Sequence, residues 1–133
     1  MTFKIPKAQK GKNIKSPTVE MDDFDYPIFC FKNLHKDYHF DDCNNDEKTA
    51  FISKIIKLST STWQELTTTQ RHGLGTEKIS IDSIKAPKPK FITEDVKHFL
   101  AFRFLGKAPF VGHRNRFVFH VLYIDRSFTL YNH

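Results

Sequence analysis

The amino-acid sequence predicts an α+β domain in which helices pack on an antiparallel sheet. Its 133 residues, 39% of them hydrophobic, are enough to bury one core without a metal ion or disulfides. A strand-forming segment comes first, two helical segments follow, and the remaining strands are consecutive and joined by short connectors. Residues 117–124 are largely apolar on both faces, as in a central strand that is covered on both sides.

The first region of the chain, residues 1–23, contains lysine, proline and polar residues with little hydrophobic periodicity. This composition predicts a flexible basic arm, followed by a single domain at 24–133. The segment 26–34, YPIFCFKNL, is rich in strand formers, and Pro27 near its start is typical of an edge strand. We therefore expect the first strand of the sheet here.

Two consecutive helices, or one kinked helix, are predicted over about residues 46–71. Asn45 or Asp46 can cap the first helix, whose apolar side chains fall on one broad face. The run STSTWQE interrupts this face and has capping-box spacing, which predicts the start of a second helix. Gly73 in RHGLG is a suitable left-handed cap for its end.

Three or four antiparallel strands are predicted in the C-terminal half, arranged as a meander. A loop containing KISIDSIKAPKPK and a short helix from Thr93 to His98 precede them. The strands read FLAFRFL, PFVGH, RFVFHVLYI and SFTLYNH. Alternation along the third strand predicts two opposite faces, namely Phe117, Phe119, Val121 and Tyr123 against Val118, His120, Leu122 and Ile124.

Charge is unevenly distributed along the chain, although its net value is +6. Residues 1–18 carry a net charge of +5, residues 19–84 carry −5 and residues 85–116 carry +6. Clustered positive charge is the footprint expected for a polyanion partner, whereas the plainer alternative is that lysines solubilise a tail and a loop. The acidic residues of 19–47 could fold over the basic block and mask it, in a way that salt would partly screen.

The cellular compartment is predicted from what the sequence lacks. Two cysteines are too few for a disulfide scaffold, no apolar run approaches the length of a membrane span, and the basic N-terminus has no apolar signal core. These features predict a soluble cytoplasmic protein without a membrane partner.

A constellation of basic and imidazole side chains is predicted near the end of the meander. Guanidinium groups bind phosphate oxygens through paired donors, and imidazole moves protons near neutral pH. Together such groups supply what metal-independent RNA cleavage needs, namely a base, phosphate-binding cations and an acid. The predicted catalytic residues are His113, Arg114, Arg116, His120, Tyr131 and His133. The alternative is a solvated hairpin end, with His120 as a hydrogen-bonded core histidine.

Other cations are predicted to contact nucleic acid. These are Arg71, His72, Lys88, Lys90, Arg103 and Lys107. Arg71 and His72 precede two glycines that would let backbone amides approach a phosphate, but the same features describe an ordinary helix end. The GLG run lacks the spacing of a phosphate-binding loop.

A zinc site is an alternative to a metal-free protein. Two thiols and two imidazoles fall within fourteen residues, at Cys30, His35, His39 and Cys43. Zinc takes such ligands tetrahedrally, but the close Cys-x2-Cys pair of common zinc modules is missing, and a thiol in an apolar strand is ordinarily buried. We predict no metal and no cofactor.

The C-terminal pattern resembles the RelE/ParE toxin superfamily. Gly112, the basic turn at 113–116, the apolar strand at 117–124, the turn at 125–126 and the ending LYNH carry the likeness. The preceding order of a strand and a helical hairpin is also similar to that family. Its members are small cytoplasmic proteins that cleave mRNA on the ribosome, or poison gyrase, and are held inactive by an antitoxin. The chain also resembles small uncharacterised bacterial or prophage proteins with similar RHGLG and FHVLYID segments.

The resemblance implies a RelE-like fold and specific roles for three residues. Arg114 or Arg116 would match a basic hairpin residue of the ribonuclease branch, and His133 would match its C-terminal catalytic His or Tyr. The longer arm and the longer loop at 72–92 depart from the family pattern.

Three functional hypotheses follow. The first is an RNA-directed toxin-like protein, a metal-independent endoribonuclease acting on RNA or ribosome-bound mRNA, with an antitoxin partner. The second is a non-enzymatic module that binds nucleic acid or an acidic protein. The third is an adaptor or inhibitor encoded by mobile DNA.

Overall fold

A computed structural model describes residues 21–68 and 76–133, and the predicted α+β class is confirmed. Most of the predicted arm, residues 1–20, lies outside the described residues, while Met21–Phe24 form a 3-10 turn. The described helices are α1 (Asn45–Leu58) and α2 (Trp63–Thr68); the strands are β1 (Ile28–Cys30), β2 (Glu77–Ser80), β3 (His98–Leu105), β4 (Ala108–Asn115) and β5 (Val118–Ile124).

The strands form one five-stranded sheet in the order β1-β5-β4-β3-β2. The antiparallel meander predicted for the C-terminal half is confirmed for β3, β4 and β5. The sheet is mixed, because β1 lies at the edge and pairs in parallel with β5, with Phe29 opposite Phe119. Strand β5 therefore has neighbours on both sides, which confirms the predicted central strand.

The capping patterns set both helix starts. Asn44, rather than Asn45 or Asp46, caps α1, because its side chain accepts the amide of Glu47 while Glu47 accepts the amide of Asn44. Thr62 and Glu65 form the same reciprocal pair at α2. Two separate helices are therefore present, and the predicted stop at Gly73 lies outside the described residues.

Three element predictions were wrong for identifiable physical reasons. The predicted loop contains β2, which pairs with β3 and buries Ile79. No helix forms over 93–98, because the Lys97 carbonyl accepts the amide of Ile81 and the chain enters β3. No strand forms at 127–133, because the buried Asp125 carboxylate takes the amides of Thr129 and Leu130.

The two faces of the sheet are covered differently. Helices α1 and α2 cover one face with an aromatic core that includes Phe51, Trp63, Phe110 and Phe119, each about 99–100% buried. Burial of such large side chains contributes about 1.5–3 kcal/mol each. The other face, termed here the helix-free face, is covered by the segments 79–92 and 130–131, which pack on Phe99, Val111, Leu122 and Tyr123.

A β-bulge in β5 changes the predicted alternation. Val111 pairs with Tyr123 whereas Gly112 pairs with Val121, so Leu122 is an extra residue on β5. Tyr123 consequently joins Leu122 on the helix-free face, and Ile124 joins the helix-covered core. The predicted faces hold up to Leu122 and are reversed at the two residues beyond it.

Candidate nucleic-acid interface

A cleft of about 370 Å³ opens on the helix-free face between two loops and β5. Its lining combines aromatic rings, prolines, an amide and cations. The lining residues are Asn33, His35, Pro87, Lys88, Pro89, Lys90, Phe91 and Tyr123.

Tyr123 is the buried part of this lining, and the bulge at Leu122 places it there. Its hydroxyl donates a hydrogen bond of 2.9 Å to the Pro87 carbonyl, which ties the proline-rich loop to the sheet. Burial, with a smaller effect of Tyr38, raises the pKa of Tyr123 to about 12. The phenol therefore stays protonated and keeps this donor at neutral pH.

One wall of the cleft is the turn that follows β1. The amide of His35 donates to the Leu122 carbonyl at 2.8 Å, and the His35 ring lies 5.8 Å from the Tyr123 ring. Nδ1 of His35 accepts the amide of Asp37 at 3.0 Å. Because Nδ1 is an acceptor, the proton of the neutral imidazole is assigned to Nε2.

The opposite wall is the segment 87–91, which alternates proline and lysine before Phe91. Each proline ring fixes its own φ, so the segment presents a restricted backbone. Lys88 and Lys90 are exposed, and no ion pair involves either of them in the described part of the chain. Within the described residues, these ammonium groups are therefore available to the phosphate groups of a ligand.

A histidine pair lies beside this wall. His113 on β4 is directly opposite His120 on β5, with ring centroids 6.4 Å apart and ring planes 17° from parallel. Phe91 connects the pair to the cleft, since its ring lies 5.3 Å from His120 and 6.3 Å from His113. The structure thus brings two predicted catalytic histidines together, and Phe91 links them to the cleft that Lys88 and Lys90 line.

The electrostatics of the pair favour a neutral His113. Burial first, and the charge of His120 second, lower the pKa of His113, against a smaller opposing effect of Asp95. Nδ1 of His120 is enclosed and makes no hydrogen bond with the described residues. At neutral pH His113 is therefore a proton acceptor, the form that general-base chemistry uses.

A second cleft, of about 510 Å³, lies on the other side of Lys88. Its lining is mostly polar and includes Ser80, Asp82, Thr93, Glu94, Lys97 and His98. Lys88 borders both clefts, so its ammonium group can reach a ligand that extends from one to the other.

Arg114 lies on the helix-covered face, apart from the histidine pair. Its guanidinium carbon is 4.3 Å from the centroid of the Trp63 ring, Nη2 is 2.7 Å from Asp23, and Nε donates to the Arg116 carbonyl. Arg116 occupies the turn between β4 and β5 with a φ of 62°. The sheet therefore separates the Arg114 side chain from His113 and His120.

Tyr131 and His133 form a different group, around the buried carboxylate that follows β5. Their rings stack at 4.2 Å, and Nε2 of His133 is 3.4 Å from Asp125. Burial is the main cause that raises the pKa of Tyr131 to about 12. The six predicted catalytic residues thus fall into three separate places, namely the His113–His120 pair, the turn with Arg114 and Arg116, and the Tyr131–His133 stack.

The cations predicted to bind nucleic acid also lie in different parts of the molecule. Lys88 and Lys90 line the cleft. Arg103 is held by Glu77 at 2.6 Å and by the Lys107 carbonyl at 2.8 Å, while the Lys107 side chain is exposed in the β3–β4 turn. Arg71 and His72 lie outside the described residues.

The four residues weighed as zinc ligands do not form a cluster. Cys43 is buried in the helix-covered core, whereas Cys30 pairs with His120 in the register of β1 and β5. His35 and His39 each accept a backbone amide through Nδ1. Within residues 21–68 and 76–133, no group of three His, Cys, Asp or Glu side chains is placed to hold a metal ion.

The aromatic and amide residues of the cleft were not predicted to contact nucleic acid. Asn33 and Phe91 carried no spacing signal, His35 was a candidate only as a zinc ligand, and Tyr123 was assigned to the wrong face because a bulge leaves no mark in a two-residue period. The alternation of proline and lysine in 87–90 was the sequence signal for the wall formed by residues 87–91.

These features define an α+β protein with a mixed five-stranded sheet, helices on one face and a basic aromatic cleft on the other. Comparison with known protein families, curated proteins and solved structures finds no match to this chain. In the described part of the chain, no helix has the length and apolar character needed to cross a membrane.

Proposed function

We propose that this chain is an RNA-directed protein that binds single-stranded RNA on the helix-free face. The observation that carries the proposal is the cleft shared by Lys88, Lys90 and Phe91, with the Phe91 ring 5.3 Å from His120 of the histidine pair. Lysines attract phosphates, and exposed aromatic rings stack on unpaired bases, which contributes about 1–3 kcal/mol per base. A surface with both features suits an unpaired strand.

Removal of the two cleft lysines tests this proposal. We expect the Lys88→Ala, Lys90→Ala double variant to bind a short fluorescent single-stranded RNA about tenfold more weakly, because two phosphate contacts are lost. The slope of log affinity against log salt should fall by about 1.4. Fluorescence anisotropy over a salt series measures both quantities.

The matched control changes net charge equally at a distance from the cleft. Lys57 on α1 and Lys78 on β2 are exposed, so Lys57→Ala, Lys78→Ala should retain most of the affinity. Equal losses in both double variants would show only a general charge effect, and absence of RNA binding by the parent protein at low salt would refute the proposal.

A second candidate function is metal-independent RNA cleavage, favoured by the facing histidines and the lowered pKa of His113. Neutral His113 would accept the proton of a ribose 2′-hydroxyl while the 2′-oxygen bonds to phosphorus. The bond from phosphorus to the 5′-oxygen would break, and protonated His120 would donate its proton to that oxygen. The products are a 2′,3′-cyclic phosphate and a 5′-hydroxyl. Ribosome-bound mRNA as substrate and an antitoxin as partner belong to this candidate.

A further inference from the structure

We propose that the cleft between the Asn33–His35 turn and the Pro87–Phe91 wall is a subsite for one unstacked nucleobase. This inference rests on the proposed RNA-directed function and names the part of the ligand that the cleft would recognise. A free nucleotide has the same chemistry as one nucleotide of an RNA strand, so the experiment below separates these two sources.

The size and lining of the cleft suit a planar ring. Its volume of about 370 Å³ is within the range of about 300–1,000 Å³ typical of small-ligand sites. His35 and Phe91 supply ring surfaces, Pro87 and Pro89 supply rigid apolar ones, and the buried Tyr123 lies beneath them. Unpaired bases bind proteins mainly by such stacking.

The polar groups of the cleft suit a base edge and its phosphate. Asn33 offers an amide with one acceptor and two donors, which matches the adjacent donor and acceptor of a base edge. The Nε2 proton assigned to His35 is a further donor. Lys88 and Lys90 stand on the opposite wall, where they would bind the phosphate of the same nucleotide.

The position of Phe91 joins the base subsite to the histidine pair. Its ring lines the cleft and also lies 5.3 Å from His120. A strand with one base in the cleft would therefore place a neighbouring sugar-phosphate beside His113 and His120. With this geometry, the nucleotide whose base occupies the cleft would determine where along its strand the RNA is bound.

Titration of the full chain with mononucleotides tests the inference. AMP, GMP, CMP and UMP would each be compared with ribose 5-phosphate by two-dimensional NMR, since ribose 5-phosphate has the phosphate but no base. We expect at least one nucleotide to bind several-fold more tightly than ribose 5-phosphate and to shift the amides of Asn33 and His35. Asn33→Ala should weaken that binding about three- to tenfold, the effect of one or two hydrogen bonds.

Asn45→Ala is the matched control, because Asn45 is an exposed asparagine at the start of α1. Binding of every nucleotide no tighter than that of ribose 5-phosphate, or equal effects of Asn33→Ala and Asn45→Ala, would overturn the subsite. If RNA binding by the same samples persists, only the subsite fails. If nucleotides bind and single-stranded RNA neither binds nor displaces them, the subsite serves a free nucleotide and the RNA function fails.

Discussion

The proposed cleavage chemistry would depend on His113 and His120. Their rings face each other across β4 and β5 at 6.4 Å, and burial lowers the pKa of His113. Because the folded pKa is below the ordinary value of about 6.5, His113 stays neutral to lower pH than a solvated histidine. A rate that needs neutral His113 would be lost only as the pH falls through that lowered pKa.

We predict that His113→Gln and His120→Gln each reduce cleavage of single-stranded RNA by about 10²-fold or more, because each variant removes one proton-transfer group. The affinity for RNA should change little. Cleavage would be measured on a labelled RNA and on the same strand with a 2′-deoxy residue at the cut site, which should resist.

His39→Gln is the control for the histidine variants, since His39 caps the turn before α1 and should leave the rate unchanged. Cleavage that survives in both variants of the pair would contradict the acid–base role. If the parent protein binds RNA but does not cleave it, only the RNA-binding function is supported.

At the residue scale, the sequence identified side chains but not their partners. The cluster His113, Arg114 and Arg116 was visible, yet nothing in it indicated that Arg114 would lie against Trp63 and pair with Asp23, which precedes it by 91 residues. Such contacts depend on the fold of distant segments. Lys88 and Lys90, predicted to contact nucleic acid, are exposed, in keeping with a proline-rich segment whose backbone is restricted locally.

At the element scale, the bulge in β5 positions the cleft, and Gly112 allows β4 to pass close to it. A Cβ atom at Gly112 would lie 2.0 Å from the His120 carbonyl oxygen and 2.9 Å from the Phe119 ring. The backbone of β5 cannot give way there without disturbing both the histidine pair and Tyr123.

We predict that Gly112→Ala lowers the free energy of unfolding by about 3 kcal/mol or more, because the new methyl group meets backbone. Gly106→Ala is the comparison: it has open space around its Cβ but a φ of 59°, so a loss of about 1–2 kcal/mol is expected. Urea unfolding followed by fluorescence measures both. A smaller loss for Gly112→Ala than for Gly106→Ala would contradict the close strand contact.

Elements with local signals were predictable, and those fixed by distant groups were not. Capping-box spacing gave the start of α2, and short connectors gave the β3–β4–β5 meander. Strand β2 depends on pairing with β3, and the irregular ending after β5 depends on the buried Asp125 carboxylate. Neither interaction produces a periodic pattern in the local sequence, so neither could be predicted from it.

At the scale of the whole molecule, carboxylates neutralise arginines while the cleft lysines stay exposed. Asp23 pairs with Arg114 and Glu47 pairs with Arg126, so part of the predicted acidic segment does contact the basic C-terminal half. In the described part of the chain, these ion pairs do not involve Lys88 or Lys90. The two cleft lysines therefore keep positive charges that no described carboxylate neutralises.

The most direct measurement is NMR mapping of the full chain during titration with single-stranded RNA. Binding on the helix-free face predicts the largest amide shifts at Asn33, His35, Lys88, Lys90, Phe91, His113 and His120. Residues of α1 should be unaffected, because the sheet lies between them and the ligand. Shifts centred on α1 or α2, or an unchanged spectrum at saturating RNA and low salt, would contradict RNA recognition by this face.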